Sequence, residues 1–471
     1  MSRINTNVPS VIARRILSGQ NDRLTLSLQR LSTGLKINTG KDDPAGMIAS
    51  ERMRLQLTAI QAAQTNINRA INVVAVGESG LAEIARLIND LEDLIDRSSN
   101  ETAISNEERD ANQLEIDLIL DSINRIANST ELEGRKLLSG TLAYTTSAVN
   151  IADIADLRIS SARIPQGGSR TVNIDVLVAA ELATLTYSSG TLASAQTIEV
   201  LGNLGAERIT LASGATISSI ADAVNMSTGL TGVSAVISAG NVVLTSTGYG
   251  STQYVKVRAL SGTQLQNGFD ALEDFGADVE VNVNGMNAIG DGLKVSVRTT
   301  ALSADIVLTS AFGSQTATDT TFSITGGGAN FMISPTLDLN ARATVGIDAV
   351  TTASLGDRNV GFLYTLATGE TNALNRSQYS TAQRIVRLAA TQVGTLRGQL
   401  GSFERNTLQP NLNSLRIQYE NVAAAESVLR DTDFAEETSN LTRAQILVQS
   451  ATNVLRIANA APNNVLALLG G

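Results

Sequence analysis

The sequence predicts an α+β multidomain protein, in which elongated α-helical coiled-coil or rod domains pair the N- and C-terminal segments around an inserted, mainly β outer domain. Composition is the first observation: residues 8–138 and 371–469 are rich in Leu, Ile, Ala and Arg, whereas residues 140–370 are rich in Gly, Ser, Thr and Val. Periodicity is the second, because apolar residues recur every three or four positions at both ends and alternate in short runs between them. Stripes of the first kind need partner helices, so the two ends are expected to pack together.

The first helical segment, Val8 to Leu35, ends in the stretch LSTGLKINTGKDDPAG. This stretch is not a nucleotide-binding loop, because Gly34 and Gly40 are separated by five residues and an aspartate follows Lys41. Glycine loosens the chain, asparagine tolerates turn conformations, and proline disfavours helix before it while starting the next helix. We therefore predict a hinge between two helices, carried by Gly34, Asn38, Gly40 and Pro44.

The second helix is expected to run from Ala45 to Ser98, which would make it about 80 Å long at about 1.5 Å per residue. Its apolar stripe consists of Ile67, Ile71, Val74, Leu81, Ile84, Ile88, Leu91 and Ile95. A third run follows, with Leu114, Leu118, Ile119, Ile123 and Ile126. The C-terminal part contains two apolar runs of the same spacing: Ile385, Ala389, Val393, Leu396, Leu400 and Phe403, then Leu408, Leu412, Leu415, Tyr419, Val422 and Leu429. The length of these runs favours a long coiled coil over an ordinary helical core.

The two chain ends are apolar without a third segment nearby to cover them. We predict an assembly surface in which an N-terminal set packs against a C-terminal set: Leu24, Leu28, Leu31 and Leu35 against Val454, Val465, Leu468 and Leu469. Each segment is too short to be stable alone in water, because helix nucleation is costly and packing supplies most helix stability. The termini are therefore expected to be loose in the monomer and to become ordered on association.

Composition excludes several classes of function. The net charge is −10, and the chain of 471 residues contains neither histidine nor cysteine, so zinc sites, Cys–His nucleophiles and Ser–His–Asp triads are excluded. No apolar run is long enough to span a membrane, no basic patch indicates nucleic-acid binding, and no secretory signal precedes the first helix. Neighbouring acids such as Asp42–Asp43 are interpreted as solvated helix ends. We expect no enzyme activity, no cofactor, no metal, no nucleic-acid partner and no membrane insertion.

Motifs at both ends closely resemble those of the bacterial flagellin family. INTNV, LQRLSTGLKIN and KDDPAG match its N-terminal pattern, and DTDFAEETSNLTRAQILVQSATNVLRIANAAPNNVLALL matches its C-terminal pattern. In the middle, residues 207–260 resemble the IN motif of outer domains in flagellins and filament-cap proteins. The residues of this motif alone predict a helix over Ala215–Val224 and strands over Glu207–Leu211, Val233–Ile237, Asn241–Thr245 and Tyr254–Ala259.

The resemblance implies a domain plan. Residues 1–43 and 431–471 would form an inner coiled-coil domain, and residues 44–175 and 330–430 a helical rod domain with a β-hairpin. Residues 176–329 would form the inserted outer domain, with the IN-type motif at 207–260.

The resemblance also implies a function and partners. The chain would be a secreted structural subunit that self-assembles into the hollow, extracellular flagellar filament for motility, its termini ordering on polymerisation. Its partners would be many copies of itself, filament-cap and hook-junction proteins, and an export chaperone with the flagellar export apparatus, which would explain the missing signal. Two alternatives stay open: a hook–filament junction protein, and a filament subunit whose outer domain is a glycan-binding adhesin.

An innate immune receptor of the Toll-like class recognises a patch on the rod domain of some flagellins. The stretch INDLEDLIDRSSN matches that patch, and Leu94 and Glu115 keep the family pattern. Asp90 and Glu92 stand where recognised flagellins carry arginines, and reversed charge at the centre of an interface is costly. We predict weakened recognition; the alternative, a solvated rod face or a subunit contact, is favoured as the main role of these two acids.

Overall fold

The structure is a computed structural model that describes residues 6–100, 104–165, 168–188, 190–299, 301–336, 342–358 and 360–469, with side chains described as far as residue 460. Those of the described residues that fall within 1–68, 333–337 and 409–471 form one compact unit, and those within 69–332 and 338–408 form a second. Within the described part of the chain, no helix combines the length and the apolarity that crossing a membrane would require.

The helices concentrate at the two ends of the chain and the strands between them, which confirms the predicted α+β class. In chain order the helices are α1 Val8–Thr33, α2 Pro44–Ser98, α3 Asn106–Ser129, α4 Ile217–Met226, α5 Thr228–Thr231, α6 Gln264–Asn267, α7 Ser310–Gly313, α8 Tyr379–Phe403, α9 Gln409–Arg430 and α10 Phe434–Leu469. A π-helical turn, Glu404–Leu408, joins α8 to α9. Short 3₁₀ helices span Leu363–Leu366 and Leu374–Arg376.

The strands lie between α3 and α8. They are β1 Glu131–Leu132, β2 Arg135–Lys136, β3 Tyr144–Ser147, β4 Ile154–Ala162, β5 Arg170–Val178, β6 Thr184–Tyr187, β7 Gln196–Gly202, β8 Gly205–Leu211, β9 Val233–Ser238, β10 Asn241–Ser246, β11 Tyr254–Ser261, β12 Glu273–Phe275, β13 Glu280–Val283, β14 Met286–Asp291, β15 Lys294–Arg298, β16 Leu302–Leu308, β17 Asp319–Gly327, β18 Ala329–Met332, β19 Arg342–Val345, β20 Gly356–Asp357 and β21 Gly361–Phe362.

Polar side chains fix the starts of the long helices. The Asn7 side chain accepts a hydrogen bond from the Ser10 amide at the start of α1. Asp43 Oδ1 accepts from the amides of Ala45 and Gly46 at 3.1 and 3.0 Å, so it caps α2 directly before Pro44. Ser105 accepts from the Glu108 amide and caps α3 in the same way. Each cap satisfies amides that the first helical turn leaves without an intrahelical partner.

In the second unit, α8 runs antiparallel to the part of α2 that belongs to that unit. Three side-chain contacts set this register: Arg397 Nη2 to Glu78 Oε1 at 2.7 Å, Arg387 Nε to Glu92 Oε1 at 2.8 Å, and Gln383 Nε2 to Asp96 Oδ1 at 2.8 Å. Most of the predicted stripe is buried between the helices, including Ile84, Ile88, Leu91, Ile385 and Val393.

The predicted stripe of α3 is wrong in part. Leu114 and Leu118 are 61% and 59% exposed, whereas Gln113, Ile116, Leu120, Ile123 and Ala127 are buried. The Gln113 side chain donates to the Leu366 carbonyl and accepts from the Leu374 amide, at 2.9 and 2.8 Å. A glutamine whose amide oxygen and nitrogen are both hydrogen-bonded can occupy the buried face of a helix. Because Gln113 faces the core, Leu114 and Leu118 face solvent.

Two apolar cores support the strands. One lies on an eight-stranded antiparallel sheet of order β3-β17-β5-β13-β14-β15-β16-β4. The predicted boundary between residues 175 and 176 falls within β5 of this sheet, and the boundary between 329 and 330 falls within β18. The compositional change at residue 140 agrees better with this sheet than the boundary at 176 does, because β3, β4 and β5 all follow residue 140.

The second core joins a four-stranded sheet, β12-β11-β7-β8, and a three-stranded sheet, β6-β10-β9, with α4. The strands and the helix predicted for the IN-type motif are confirmed as β8, α4, β9, β10 and β11. Ile220, Ala221 and Val224 of α4 are buried, as predicted from their spacing. The hairpin between β9 and β10 turns at Ala239 and Gly240, which both have positive φ, as a tight two-residue turn requires.

Candidate assembly site

Helices α1 and α10 of the first unit pack along each other through a seam with heptad spacing. The buried positions are occupied mainly by small residues: Ser10, Ala13 and Ser27 on α1, and Glu437, Ala444, Ala451 and Ala458 on α10. Larger apolar residues alternate with them and are only half-buried, namely Leu17, Leu24, Leu31, Leu441, Val448 and Leu455. The seam therefore brings the backbones together while it buries little apolar surface.

Polar contacts at both ends of the seam show that the two helices are antiparallel. Asn7 Nδ2 donates to the Ala458 carbonyl at 2.8 Å, and Ser10 Oγ donates to Asn459 Oδ1 at 2.6 Å. At the other end, Arg30 Nη1 lies 3.6 Å from Glu437 Oε2. These contacts hold one register of the pair, since neighbouring registers would leave the buried Glu437 without its arginine.

The antiparallel register places Leu24 and Leu31 beside the N-terminal half of α10, so within this chain they do not pack against Val454 as predicted. Leu24 and Leu31 lie in the seam, but Leu28 is 49% and Val454 is 54% exposed, so both point away from it. Their placement in the seam was wrong because apolar residues alone were counted, whereas serine and alanine occupy the closest positions. Val465, Leu468 and Leu469 belong to α10, but their side chains lie outside the described residues.

The predicted hinge between α1 and α2, called the joint below, is held by a short antiparallel ladder between residues 34–36 and residues 430–432. Gly34 ends α1 with φ 73°, a left-handed conformation that glycine adopts without strain. The Lys36 amide then donates to the Arg430 carbonyl at 2.7 Å, and the Thr432 amide donates to the Gly34 carbonyl at 2.9 Å. Leu35 is thus paired with Asp431 rather than placed in a helical stripe. The breaks α1–α2 and α9–α10 are consequently tied to each other.

Asp42 organises the remainder of the joint. Its Oδ2 accepts from the Asn38 amide at 3.2 Å, the Thr39 amide at 2.9 Å and the Thr39 hydroxyl at 3.0 Å. The Thr39 amide is the main reason that the pKa of Asp42 lies below its ordinary value of 3.8. The predicted hinge residues lie in the same loop: Asn38 Nδ2 donates to the Leu35 carbonyl at 3.0 Å, Pro44 is the first residue of α2, and Gly40 is exposed.

Sequence reasoning missed the role of Asp42, which was used there to exclude a phosphate site and was otherwise interpreted as part of a solvated helix end. The signal was present in the spacing Asn-Thr-Gly-Lys-Asp-Asp-Pro, because aspartate side chains commonly close turns onto nearby amides.

The four residues of the candidate receptor patch have different surroundings. Asp90 is paired with Arg86 at 2.8 Å on the surface of α2, and Glu92 is paired with Arg387 of α8 at 2.8 Å. Leu94 is 5% exposed and belongs to the core. Glu115 is exposed on α3. The two acids thus have partners within their own chain.

Large apolar side chains remain exposed on the terminal helices beside the seam. Val8, Val11, Ile12 and Ile16 of α1 are between 45% and 59% exposed. Ile446 and Ile457 of α10 are 60% and 66% exposed. Apolar surface of this extent on an isolated subunit usually marks a site of association.

Comparisons with known proteins agree with this arrangement. The family described as the bacterial flagellin N-terminal helical region matches residues 4–143, and the bacterial flagellin C-terminal helical region matches residues 384–469. The flagellin hook IN motif matches residues 197–248, which lie in the second β core.

Relatives of similar length are found in Vibrio. Flagellin D of Vibrio cholerae serotype O1 is 28% identical, and Flagellin C of Vibrio anguillarum is 29% identical, each over 99% of both chains. Among solved structures, the flagellar cap protein FliD D1-D2-D3 domains from Escherichia coli align with 45% of this chain and 64% of that chain, at 17% identity and a TM-score of 0.29.

Proposed function

Because the chain belongs to the bacterial flagellin family and is a structural subunit of the flagellar filament, we propose that its terminal helices become fully ordered only when copies assemble. One observation carries this proposal: the fully buried positions of the seam between α1 and α10 hold mainly serine and alanine, while Val11, Ile12 and Ile16 lie outside it. The family is one of structural proteins, and we extend this to the absence of catalysis in this chain.

The energetic argument follows from the size of the buried side chains. Burial stabilises a protein by roughly 25 cal/mol per Å² of apolar surface, so alanine and serine contribute far less than leucine or isoleucine. A two-helix pair with such a seam is marginal in water, since helices of this length depend on packing for their stability. Contacts with neighbouring copies would cover Val11, Ile12 and Ile16 and supply the missing burial.

Truncation tests the proposal. Deletion of residues 8–35, or of residues 441–471, is expected to leave a soluble monomer that no longer forms filaments, as judged by sedimentation and electron microscopy. The second unit keeps its two β cores in both variants, so its thermal unfolding followed by circular dichroism serves as the control for folding. Filaments formed by either truncated chain would contradict the proposal.

We propose an extracellular location, reached through the flagellar export apparatus with a chaperone bound to the C-terminal helical region. Exposed apolar residues on α10 support this, because they offer a chaperone a surface before assembly. Filament-cap and hook-junction proteins would be the remaining flagellar partners. Chain found inside export-deficient cells and in the medium of export-competent ones would support this location, whereas export-independent secretion would contradict it.

The domain plan is proposed as predicted from the sequence, 1–43 with 431–471, 44–175 with 330–430, and 176–329, except that the boundaries at 175/176 and 329/330 shift into loops, because as predicted they cut β5 and β18. The ladder between Gly34–Lys36 and Arg430–Thr432 supports the first of these boundaries, because both chain segments break at the same place. Limited proteolysis with identification of the cleavage sites tests all three.

The proposal includes weak recognition by a Toll-like receptor. Asp90 and Glu92 present negative charge where recognised flagellins present arginine, and both are held in ion pairs within the chain. The alternatives, a hook–filament junction protein and a glycan-binding adhesin, are not favoured, because the relatives are flagellins that match over 99% of this chain.

A further inference from the structure

Helix α3, in the second unit, carries an exposed face that combines leucine with carboxylates. Glu107, Asp110, Leu114, Leu118 and Asp121 fall within an arc of about 80° when about 3.6 residues make one turn, and all five are exposed. No hydrogen bond or ion pair joins the three carboxylates to another side chain among the described residues. We call these five residues the acidic face.

Helix α2 carries a face of the opposite kind in the part that belongs to the first unit. Ile48, Arg52 and Leu55 follow one another at spacings of four and three, and Ile48 and Leu55 are 60% and 71% exposed. The side chains of Arg52 and of the preceding exposed Lys41 have no ionic partner in the described part of the chain. We call Ile48, Arg52 and Leu55, together with Lys41 of the turn that precedes α2, the basic face.

We propose that the acidic face of one copy docks on the basic face of a second copy, as one of the contacts that build the polymer. This inference rests on the proposed function and names the surfaces that perform it. Charge complementarity identifies the occupant: within the part of the chain that the structure describes, the carboxylates beside Leu114 and Leu118 have no cation as a partner, and the cations beside Ile48 and Leu55 have no carboxylate. Docking would pair these charges and remove four large apolar side chains from water.

The two faces are different surfaces of the same chain, so the contact is heterologous. Contacts of this type repeat head to tail and generate open helical assemblies when the rotation does not close into a ring. A two-fold symmetric dimer would need both acid–base contacts to form at once between the same two copies. A single contact between two copies leaves one free acidic face and one free basic face, so this arrangement continues to grow.

Charge reversal offers a test in which variants rescue each other. The first variant, Asp110→Arg with Asp121→Arg, makes both faces basic; the second, Lys41→Glu with Arg52→Glu, makes both acidic. Each alone is expected to need an at least about tenfold higher concentration to polymerise than the wild type, since like charges across an interface cost several kcal/mol and about 1.4 kcal/mol is tenfold. An equimolar mixture is expected to polymerise near the wild-type concentration, because acidic and basic copies alternate.

Sedimentation and electron microscopy of full-length chains, seeded with fragments of wild-type filaments, measure these concentrations. Matched control reversals, Asp222→Arg and Arg208→Glu, change exposed charges of the IN-type region and are expected to leave polymerisation unchanged. Rescue in the mixture also shows that both variants are folded. Single variants that polymerise like the wild type, or a mixture that stays soluble, would overturn the docking proposal while the proposed function stands. A wild-type chain that failed to polymerise would overturn both.

Discussion

Arg30 Nη1 lies 3.6 Å from Glu437 Oε2, and this ion pair joins α1 to α10 at a depth where the Glu437 side chain is only 8% exposed. The pair lies next to the joint, where backbone hydrogen bonds link Gly34–Lys36 to Arg430–Thr432. The fully buried positions of the adjoining seam are mostly serine and alanine, so apolar burial contributes little there. The ion pair therefore contributes a larger share of the stability of the α1–α10 contact than it would between leucine-rich helices. Its removal is the first of four predictions.

The substitution Glu437→Gln is expected to loosen the α1–α10 pair. Removing one partner leaves the Arg30 guanidinium, which is 24% exposed, without its counter-ion, and we expect a loss of about 1–3 kcal/mol in the free energy of local opening. Amide hydrogen exchange of α1 and α10 in the filament, where both helices are expected to be protected, measures this loss. Glu436→Gln, at the exposed neighbouring position, is the matched control and should leave exchange unchanged; equal effects of both would contradict the role of the ion pair.

The joint is expected to loosen in acid through Asp42. Hydrogen bonds from the Thr39 and Asn38 amides hold the pKa of Asp42 below 3.8, so the folded loop favours the carboxylate. The resulting stabilisation is complete well above pH 3.8 and is lost as the pH falls through the lowered pKa of the folded state. NMR titration of the Asn38 and Thr39 amides checks this. Asp42→Asn should give the loosened loop at every pH, and an unchanged loop in that variant would contradict the assignment.

Gly250→Ala is expected to destabilise the β-rich part of the second unit. The residue has φ +113°, and a Cβ would lie 2.7 Å from Asp278 Oδ1 and 2.8 Å from the Cα of Gly292. Strain and overlap together should lower the free energy of unfolding by about 2–4 kcal/mol. Gly285→Ala is the control: its φ is +87° but nothing lies within 4 Å of the added Cβ, so about 1–2 kcal/mol is expected. Denaturant unfolding measures the free energy of unfolding of both variants. A smaller loss for Gly250→Ala than for Gly285→Ala would contradict the expected overlap of the added Cβ with Asp278 and Gly292.

Asp90→Arg combined with Glu92→Arg is expected to increase signalling through a Toll-like receptor. The change supplies the positive charge that recognised flagellins carry at these positions, and it replaces the surface pairs with Arg86 and Arg387, which contribute at most about 1 kcal/mol each. A receptor reporter assay on purified monomers measures the signal. The prediction fails if the unchanged chain signals as strongly as the arginine variant.

The sequence predicted the helices, the joint and the IN-type strands because each has a local cause. Pro44 and Asp43 define the start of α2, Gly34 ends α1, and alternation of buried and exposed residues defines β10. Such signals act within a few residues and do not depend on distant parts of the chain.

The faces of the helices were harder to predict, because they depend on which partner approaches. Leu28 and Leu114 have the spacing of core residues and are nevertheless exposed, while Ser10, Ser27 and Gln113 are buried. Small residues permit close approach of α1 and α10, and hydrogen bonds satisfy Gln113, so neither case is visible in a count of apolar residues. The ion pair of Arg30 and Glu437 was missed for the same reason, since it joins positions at opposite ends of the sequence.

Hydrogen exchange of the full-length chain, compared between monomer and filament, tests the central claim most directly. The account predicts rapid exchange over residues 8–33 and 434–469 in the monomer and strong protection of both segments in the filament. Strong protection of both segments in the monomer would contradict the claim that assembly orders the terminal helices.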